Sequence, residues 1–325
     1  MRKALLIYNP SSGRDRQHRA QQVSKVLAIF RVAGVEAESC ATTHIGSAVV
    51  QAEEAAAAGF DAVIACGGDG TASEVLNGLM RTNADVTLGV LPFGSGNLLA
   101  NDLSLPPHGE AAARALLSYK PRTLQPGIMR YQDEAGPQQR HFIIAGGVGL
   151  GADLMYYTAA KTKSRYGIYA YFLAMLRMAL RPRPMFKVEW RDEEGNCHDA
   201  EVTMVGAVRV QRFPGLLKRV RLGAELTRND YRLVLFRTSK VRHIVNYFVS
   251  AWSGLNWRVW QVELTYSTWF RCTPLVSEDS ASIRSEADGE VLGALPVEVS
   301  IDSRTFKLLM PDSDGENSTY HRPQT

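Results

Sequence analysis

In residues 1–122, short apolar and β-branched runs alternate with segments of helical period. KALLIYN (3–9) reads as a strand, Arg16 to Ala33 as a helix, VEAESCA (35–41) as a strand and AVVQAEEAAAAG (48–59) as a helix. DAVIAC (61–66), TASEVLNGLM (71–80) and TLGVLP (87–92) continue the series as strand, helix and strand. Such alternation predicts a parallel sheet with right-handed crossovers. The ligand crevice of such a sheet lies beyond the carboxyl ends of its strands. Three glycine-bearing segments fall there: NPSSG (9–13), GGDGT (67–71) and PFGSGN (92–97).

Beyond Pro121 the pattern changes to strand-like runs separated by turn-formers: HFIIAGGVGL (141–150), FKVEW (186–190), AEVTMVGAVRV (200–210), YRLVLF (231–236), RVWQVELTY (258–266), ALPVEVSI (294–301) and TFKLLM (305–310). That spacing predicts a β-sandwich, interrupted by helical segments around 153–180 and 241–254. With a boundary in YKPRTLQP, the chain divides into an α/β nucleotide-binding domain (1–122), a mostly β-sandwich domain (123–311) and a flexible polar tail (312–325). No internal repeat is visible.

Composition agrees with two domains, because 325 residues exceed one ordinary core. With 45% apolar and 22% charged residues the chain reads as globular, not disordered or collagenous. Cys40, Cys66, Cys197 and Cys272 are scattered without a metal-ligand spacing, which argues against structural zinc and for a reducing cytoplasm. The opening MRKALLIYNP is too short an apolar run for a signal segment. The longest apolar stretch, GIYAYFLAMLRMAL (167–180), is broken by Arg177, so a membrane-spanning helix is not expected.

The formal charge of +4 is modest, but its distribution is uneven. Lys161, Lys163, Arg165, Arg177, Arg181, Arg183 and Lys187 crowd one region, and Arg209, Arg212, Lys218, Arg219 and Arg221 another. Solvated basic faces, or faces attracted to anionic lipid or phosphate, both account for this.

GGDGT fits neither the Walker pattern nor the dinucleotide fingerprint. Thr71 with Glu74 three residues on forms a capping box, which predicts that the loop ends at a helix N-terminus. Unpaired amides and the helix dipole there favour an anion without any lysine, and glycines let phosphate approach. Asp69 inside the loop would repel phosphate unless a divalent cation lies between them, which points to Mg²⁺. A tight β–α turn with an incidental aspartate is the alternative. Far downstream, SEADGEVLG (285–293) reads as a hairpin around Asp-Gly. It also reads as a paired carboxylate site in which Asp288 and Glu290 point the same way on an extended chain, one as general base and one orienting or holding a metal.

NPSSG, GGDGTASEVLNG, PFGSGN and ADGE, in this order and separation, resemble the diacylglycerol kinase catalytic-domain family, which includes soluble bacterial lipid kinases, sphingosine kinases and ceramide kinases. GGDGT alone also occurs in NAD kinases. The resemblance covers most of the chain and implies an N-terminal nucleotide domain and a C-terminal β domain, with ATP and Mg²⁺ in the cleft between them. It implies that Asn9, Pro10, Ser11, Ser12, Gly13, Thr42, Gly67, Gly68, Asp69, Gly70, Thr71, Gly94, Ser95 and Asn97 bind the nucleotide. Asp69 would reach Mg²⁺ through phosphate or water, and Glu290 with Asp288 would be catalytic.

The chain departs from the bacterial diacylglycerol kinase pattern where Leu98 follows Asn97, at Gln125 and around Asp230 in NDYRLV; GSGNLLA is more like sphingosine kinases. The expected activity is transfer of a phosphoryl group from ATP to a hydroxyl of a membrane lipid, diacylglycerol or a sphingoid alcohol. An NAD-kinase-like phosphotransferase and a non-catalytic lipid-binding relative are the alternatives. A lipid substrate places the protein in the cytoplasm, peripheral at the inner membrane face, with the basic clusters and the tryptophans of AWSGLNWRVW (251–260) as contacts. No nucleic-acid partner is expected; the oligomeric state stays open, a homodimer among the options.

Overall fold

The computed structural model describes residues 1–13, 17–149, 184–212, 223–240, 243, 246–247, 261–276 and 283–312. The expected helix at 153–180, most of the one at 241–254 (residues 243, 246 and 247 are helical), the tryptophans of 251–260, the tail from 313 and most of the basic clusters (Lys161 to Arg183; Lys218, Arg219 and Arg221) lie outside the described residues.

The N-terminal alternation is realised as β1 (Lys3–Tyr8), α1 (Arg19–Val32), β2 (Glu36–Ala41), α2 (Ser47–Ala57), β3 (Ala62–Gly67), α3 (Asp69–Leu79) and β4 (Thr87–Pro92). These strands pair in parallel in the order β2-β1-β3-β4. Every residue of β3 and β4 is buried, as parallel strands covered on both faces require. Helix α2 packs with α3, and α1 with a later helix, α5 (Gly109–Ser118), after the short α4 (Leu98–Asp102).

After β5 (Lys120–Leu124) the chain builds a second sheet. Its strands are β6 (Gly127–Asp133), β7 (Gly136–Phe142), β8 (Ala145–Gly149), β9 (Phe186–Arg191), β10 (Cys197–Val202), β11 (Met204–Val208), β12 (Tyr231–Phe236), β13 (Val262–Ser267), β14 (Trp269–Pro274), β15 (Arg284–Ala287) and β16 (Glu290–Ile301). All pair antiparallel in one network, β10-β9-β14-β16-β15-β8-β11-β12-β13, with β6 on β16 and β7 on β6. The sheet curls over its own core. Tyr231 on β12 donates its hydroxyl to the Val299 carbonyl on β16 at 3.3 Å and meets Phe270 on β14 edge-on at 5.8 Å, although these strands are not paired. Burial of Phe186, Trp190, Tyr231, Phe270 and Val299 in that core removes apolar surface from water and holds the curl. The β-rich second domain is therefore one continuous curled sheet.

The linear division at 122 needs one correction. The last strand, β17 (Phe306–Met310), returns to the first sheet, where it lies parallel to β4 and antiparallel to β5. Phe306, Leu308 and Leu309 join the first core, so the first domain owns a strand from the C-terminal end of the described chain. A linear reading misses this because a strand pattern carries no information about which sheet receives it.

No helix among the described residues is long and apolar enough to cross a membrane. The described members of the basic clusters are not simply solvated faces. Lys187 pairs with Glu189 at 2.9 Å, and Arg209 is 1% exposed, donating to the carbonyl oxygens of Gln125, Leu226 and Arg228.

Candidate functional site

The three glycine-bearing segments meet at the carboxyl edge of the parallel strands. In the first, Asn9 Oδ1 accepts the Ser11 amide at 2.8 Å and the Asn9 carbonyl accepts the Ser12 amide at 3.1 Å. Pro10 sits inside this turn, where its fixed φ suits it. The turn ends at Gly13, whose φ of +68° and 2.4 Å spacing from an added Cβ to the Phe93 carbonyl oxygen exclude a side chain. Arg19 on α1 donates Nη2 to the carbonyls of Ser12 (2.7 Å) and Phe93 (3.0 Å) and lies 4.7 Å over the Phe93 ring, so it ties the first loop to the third. Thr42, just past β2, donates its amide to the Tyr8 carbonyl at 2.9 Å and stands beside the first loop.

In the second segment, helix α3 begins at Asp69 with Gly68 as its N-cap, and Thr71 is already in the first turn. The expected capping box is absent. The Thr71 and Ala72 amides donate to the Gly68 carbonyl, and Glu74 turns away to accept the Ala48 amide on α2 at 3.2 Å. The loop proper is Gly67 and Gly68. A Cβ on Gly67 would meet Thr71 Oγ1 at 2.3 Å, and one on Gly94 would meet Gly68 Cα at 2.4 Å, so part of the glycine requirement is close packing of loop on loop. Gly70 is different: it is exposed and nothing lies within 4 Å of its Cβ position. The amides of Gly68 and Gly70 make no hydrogen bond among the described residues. Two free donors at a helix N-terminus, one under an open glycine, fit an anionic phosphate.

In the third segment, Asn97 adopts φ +52° and folds back on its own loop, accepting the Gly94 amide and donating to the Gly94 carbonyl, both at 2.9 Å. Ser95 is exposed at the tip. Asp69 accepts the amides of Leu98 and Leu99, each at 3.1 Å, and so caps α4. Burial raises the pKa of Asp69, with the surrounding amides opposing. An acid inside a glycine loop is thus accommodated partly by the amides of a neighbouring helix.

The ADGE segment is a hairpin, with Ala287 paired to Glu290 across a two-residue turn. Positive φ at Asp288 (+48°) and Gly289 (+82°) marks the primed type of turn that Asp-Gly favours. The two carboxylates do not share a face. Asp288 is buried, its Oδ1 accepting the amides of Ile144 (2.8 Å) and Ala145 (3.1 Å) and its Oδ2 that of Ile143 (2.9 Å). Burial, with a contribution from the Asp69 charge, pushes its pKa up to about 6 against those three amides. Glu290 points outward, its side chain 43% exposed, and is ion-paired to Arg140, which is 13% exposed. The same-face expectation fails because the left-handed turn at Asp288 breaks the extended alternation that it assumed.

Asp69 and Asp288 therefore lie within electrostatic reach of each other, one from each domain. Two contacts hold that relation. Asn77 on α3 brackets the His141 backbone on β7, and the chain runs directly from His141 to the amides that bind Asp288. Glu286 belongs to no motif in the sequence: it is buried, accepts the Gly289 amide at 3.0 Å, and burial with the Asp288 charge moves its pKa up to about 7. Its only sequence signal is an acidic residue at an inward position of a short strand.

At the positions that depart from the bacterial pattern, Gln125 donates to the Asp302 carbonyl at 3.0 Å and its own carbonyl accepts Arg209, whose buried charge faces Asp288. Asp230 is held by both arms of the Arg228 guanidinium, so an internal cation already satisfies it. Among the described residues there is no group of three or more side chains able to ligate a metal. Mg²⁺ needs only one or two carboxylates when phosphates and water complete its octahedron, and Asp69 is one carboxylate beside the glycine loops.

The model of the diacylglycerol kinase catalytic domain matches residues 3–128. A protein named diacylglycerol kinase from Bacillus subtilis (strain 168) is 31% identical over 320 residues, covering 97% of this chain and 99% of its own. One of the same name from Staphylococcus aureus is 28% identical over 244 residues, covering 75% of this chain and 73% of its own. A crystal structure of a diacylglycerol kinase from Bacillus anthracis str. Sterne superposes with a TM-score of 0.70 at 18% identity, over 96% of this chain and 98% of that one, a likeness of fold. With 31% identity sustained over nearly its whole length, the chain belongs to the diacylglycerol kinase catalytic-domain family.

Proposed function

We propose that this protein is an ATP- and Mg²⁺-dependent lipid kinase that phosphorylates a hydroxyl group of a membrane lipid, diacylglycerol or a related sphingoid-type alcohol. The observation that carries the reading is the bracket of Asn77, on the helix that Asp69 opens, around the His141 backbone, which sets the glycine-loop helix against the chain whose amides hold Asp288 at the tip of its hairpin. Glu290 lies two residues on from Asp288, at the half-exposed foot of that hairpin. The names of the relatives agree with a lipid kinase.

When bound, ATP with Mg²⁺ supplies the transferable phosphoryl group and neutralises its charge. The free amides of Gly68 and Gly70 donate to phosphate oxygens, and the open face of Gly70 lets them approach. Asp69 would hold the cation, with the charge of Asp288 within electrostatic reach. Asp288, with three amides on its carboxylate, is fixed in place and poorly suited to carry a proton away. Glu290 is the accessible carboxylate, and it takes the proton of the lipid hydroxyl as that oxygen attacks. Its partner Arg140 orients it and gives way as it takes up that proton. Because the acceptor lies in a bilayer, the protein works from the cytoplasm, peripheral to an anionic inner face.

The test is incubation with labelled ATP and Mg²⁺ against diacylglycerol, sphingosine, ceramide, undecaprenol and NAD. Label in one or more lipids is expected. Label in NAD alone, or in none, would sink the reading.

A further inference from the structure

A second cleft, of about 600 Å³, lies among the residues that follow α3, the β6–β7 hairpin, β14 and the middle of β16. The sheet parts there because β16 advances from Ala294 to Glu298 while β6 moves only from Gln132 to Arg130. Pro296 falls in that irregular stretch and has no amide to continue a ladder. Arg81, Arg130, Arg140, Arg271 and Arg304 all line this cleft, each from a different part of the chain, against one lining carboxylate, Glu298. The other lining polar groups include Gln132, Gln138, Gln139 and Tyr131, each able to donate.

Most of these arginines have only partial partners. Arg81 with Glu53 (3.1 Å), and Arg130 with Glu298 (3.7 Å) and the Ser300 hydroxyl (3.0 Å), are exposed contacts that water screens, whereas Arg304 is held by Asp302, the Met80 carbonyl and His141. Arg140 gives one arm to Glu290, yet its buried Nε makes no hydrogen bond. The Arg271 side chain has neither ion pair nor hydrogen bond among the described residues. Its β16 neighbour in register, Glu298, is the same carboxylate that faces Arg130. A cavity rich in planar, forked donors and poor in acceptors matches a group with several oxygens and more than one negative charge.

We propose that this cleft binds a phosphate group, free or as the phosphomonoester of a lipid headgroup, through Arg130, Arg140 and Arg271, with Arg81 and Arg304 adding charge. It is separate from the glycine loops and draws none of its lining from them. Binding also has a consequence that rests on the role proposed for Glu290. An anion on Arg140 competes with the Glu290 carboxylate for the same guanidinium, so occupancy frees Glu290.

Binding is measured on the whole protein without nucleotide, by calorimetry with inorganic phosphate and by sedimentation with phosphatidylcholine vesicles with and without phosphatidate. The variant R130Q/R271Q, altered at two exposed strand positions, is compared with wild type and with K25Q, an exposed lysine on α1; R271Q alone serves if the double variant melts early. Loss of affinity on the order of tenfold per arginine removed is expected, with K25Q unchanged. Saturable uptake of phosphate that R130Q/R271Q weakens supports the site for the free ion. Sedimentation only with phosphatidate, weakened by the same variant, supports it for the lipid headgroup. No binding to either probe overturns the proposal. So does binding that the arginine variants leave unchanged, which includes phosphate held by the glycine loops. Labelled-ATP transfer is scored separately, so a failed cleft leaves the kinase reading standing.

Discussion

Asn77 and His141 form a two-way clamp: the His141 amide donates to Asn77 Oδ1 at 2.9 Å, and Asn77 Nδ2 donates to the His141 carbonyl at 3.0 Å. Asn77 is on the helix that Asp69 opens, and His141 lies two residues before the first amide that holds Asp288. The clamp sets the spacing between domains. Asn77→Ala leaves a buried amide and carbonyl without partners, and a loss of about 2–4 kcal/mol is expected. Turnover should fall further than the melting temperature alone explains, because Asp69 and Asp288 drift apart. Thermal melting and steady-state rates on one preparation check this; a destabilised variant with normal turnover removes the clamp from the site's geometry.

Glu290→Gln keeps size and shape but cannot accept the hydroxyl proton. Lipid phosphorylation should drop on the order of 10²- to 10⁴-fold with nucleotide affinity near wild type. Rates close to wild type would take Glu290 out of the base role.

Asp69→Asn tests the cation. Asparagine has one acceptor oxygen where Asp69 accepts an amide on each of two, so one contact to α4 is lost and a drop of about 1–3 kcal/mol in stability is expected. Mg²⁺-dependent nucleotide binding should weaken, and a titration of affinity against Mg²⁺ that matches wild type counts against a metal role.

The glycines separate packing from ligand approach. A Cβ on Gly94 meets Gly68 Cα at 2.4 Å, so Gly94→Ala should destabilise the protein by about 1–3 kcal/mol. Gly70 has open space, so Gly70→Ala should melt normally yet bind nucleotide weakly. Equal melting and equal binding for Gly70→Ala would mean that no phosphate comes over that face.

Burial sets the pH response. Asp288 and Glu286 are raised to about 6 and about 7, from ordinary values of 3.8 and 4.5. Between those limits the folded chain holds protons that the unfolded chain has released. Their joint contribution therefore makes stability fall as pH rises from about 4 to about 7, and level off above. Glu286→Gln keeps an acceptor for the Gly289 amide and removes the titration. Its advantage over wild type should grow by on the order of 1–3 kcal/mol between about pH 5 and about pH 8. Denaturant melts at the two pH values read this directly, and a constant gap would show that Glu286 does not titrate in that range.

The sequence by itself determined the first sheet and its loops. Strands such as AVIACG and TLGVLP are continuous apolar runs whose burial on both faces follows from composition alone, and glycine clusters mark the loops at their carboxyl ends. It also determined the Asp-Gly hairpin, because turn chemistry is local. Only the tertiary structure decided what that hairpin does. The three amides that hold Asp288 belong to residues 143–145, the bracket on Asn77 belongs to His141, and β17 closes a sheet begun about three hundred residues earlier. These pairings join distant positions through backbone groups, which every residue carries, so no pattern of side chains along the chain announces them. Asp69 and Asp288 come within electrostatic reach of each other because such contacts fix how the two domains meet.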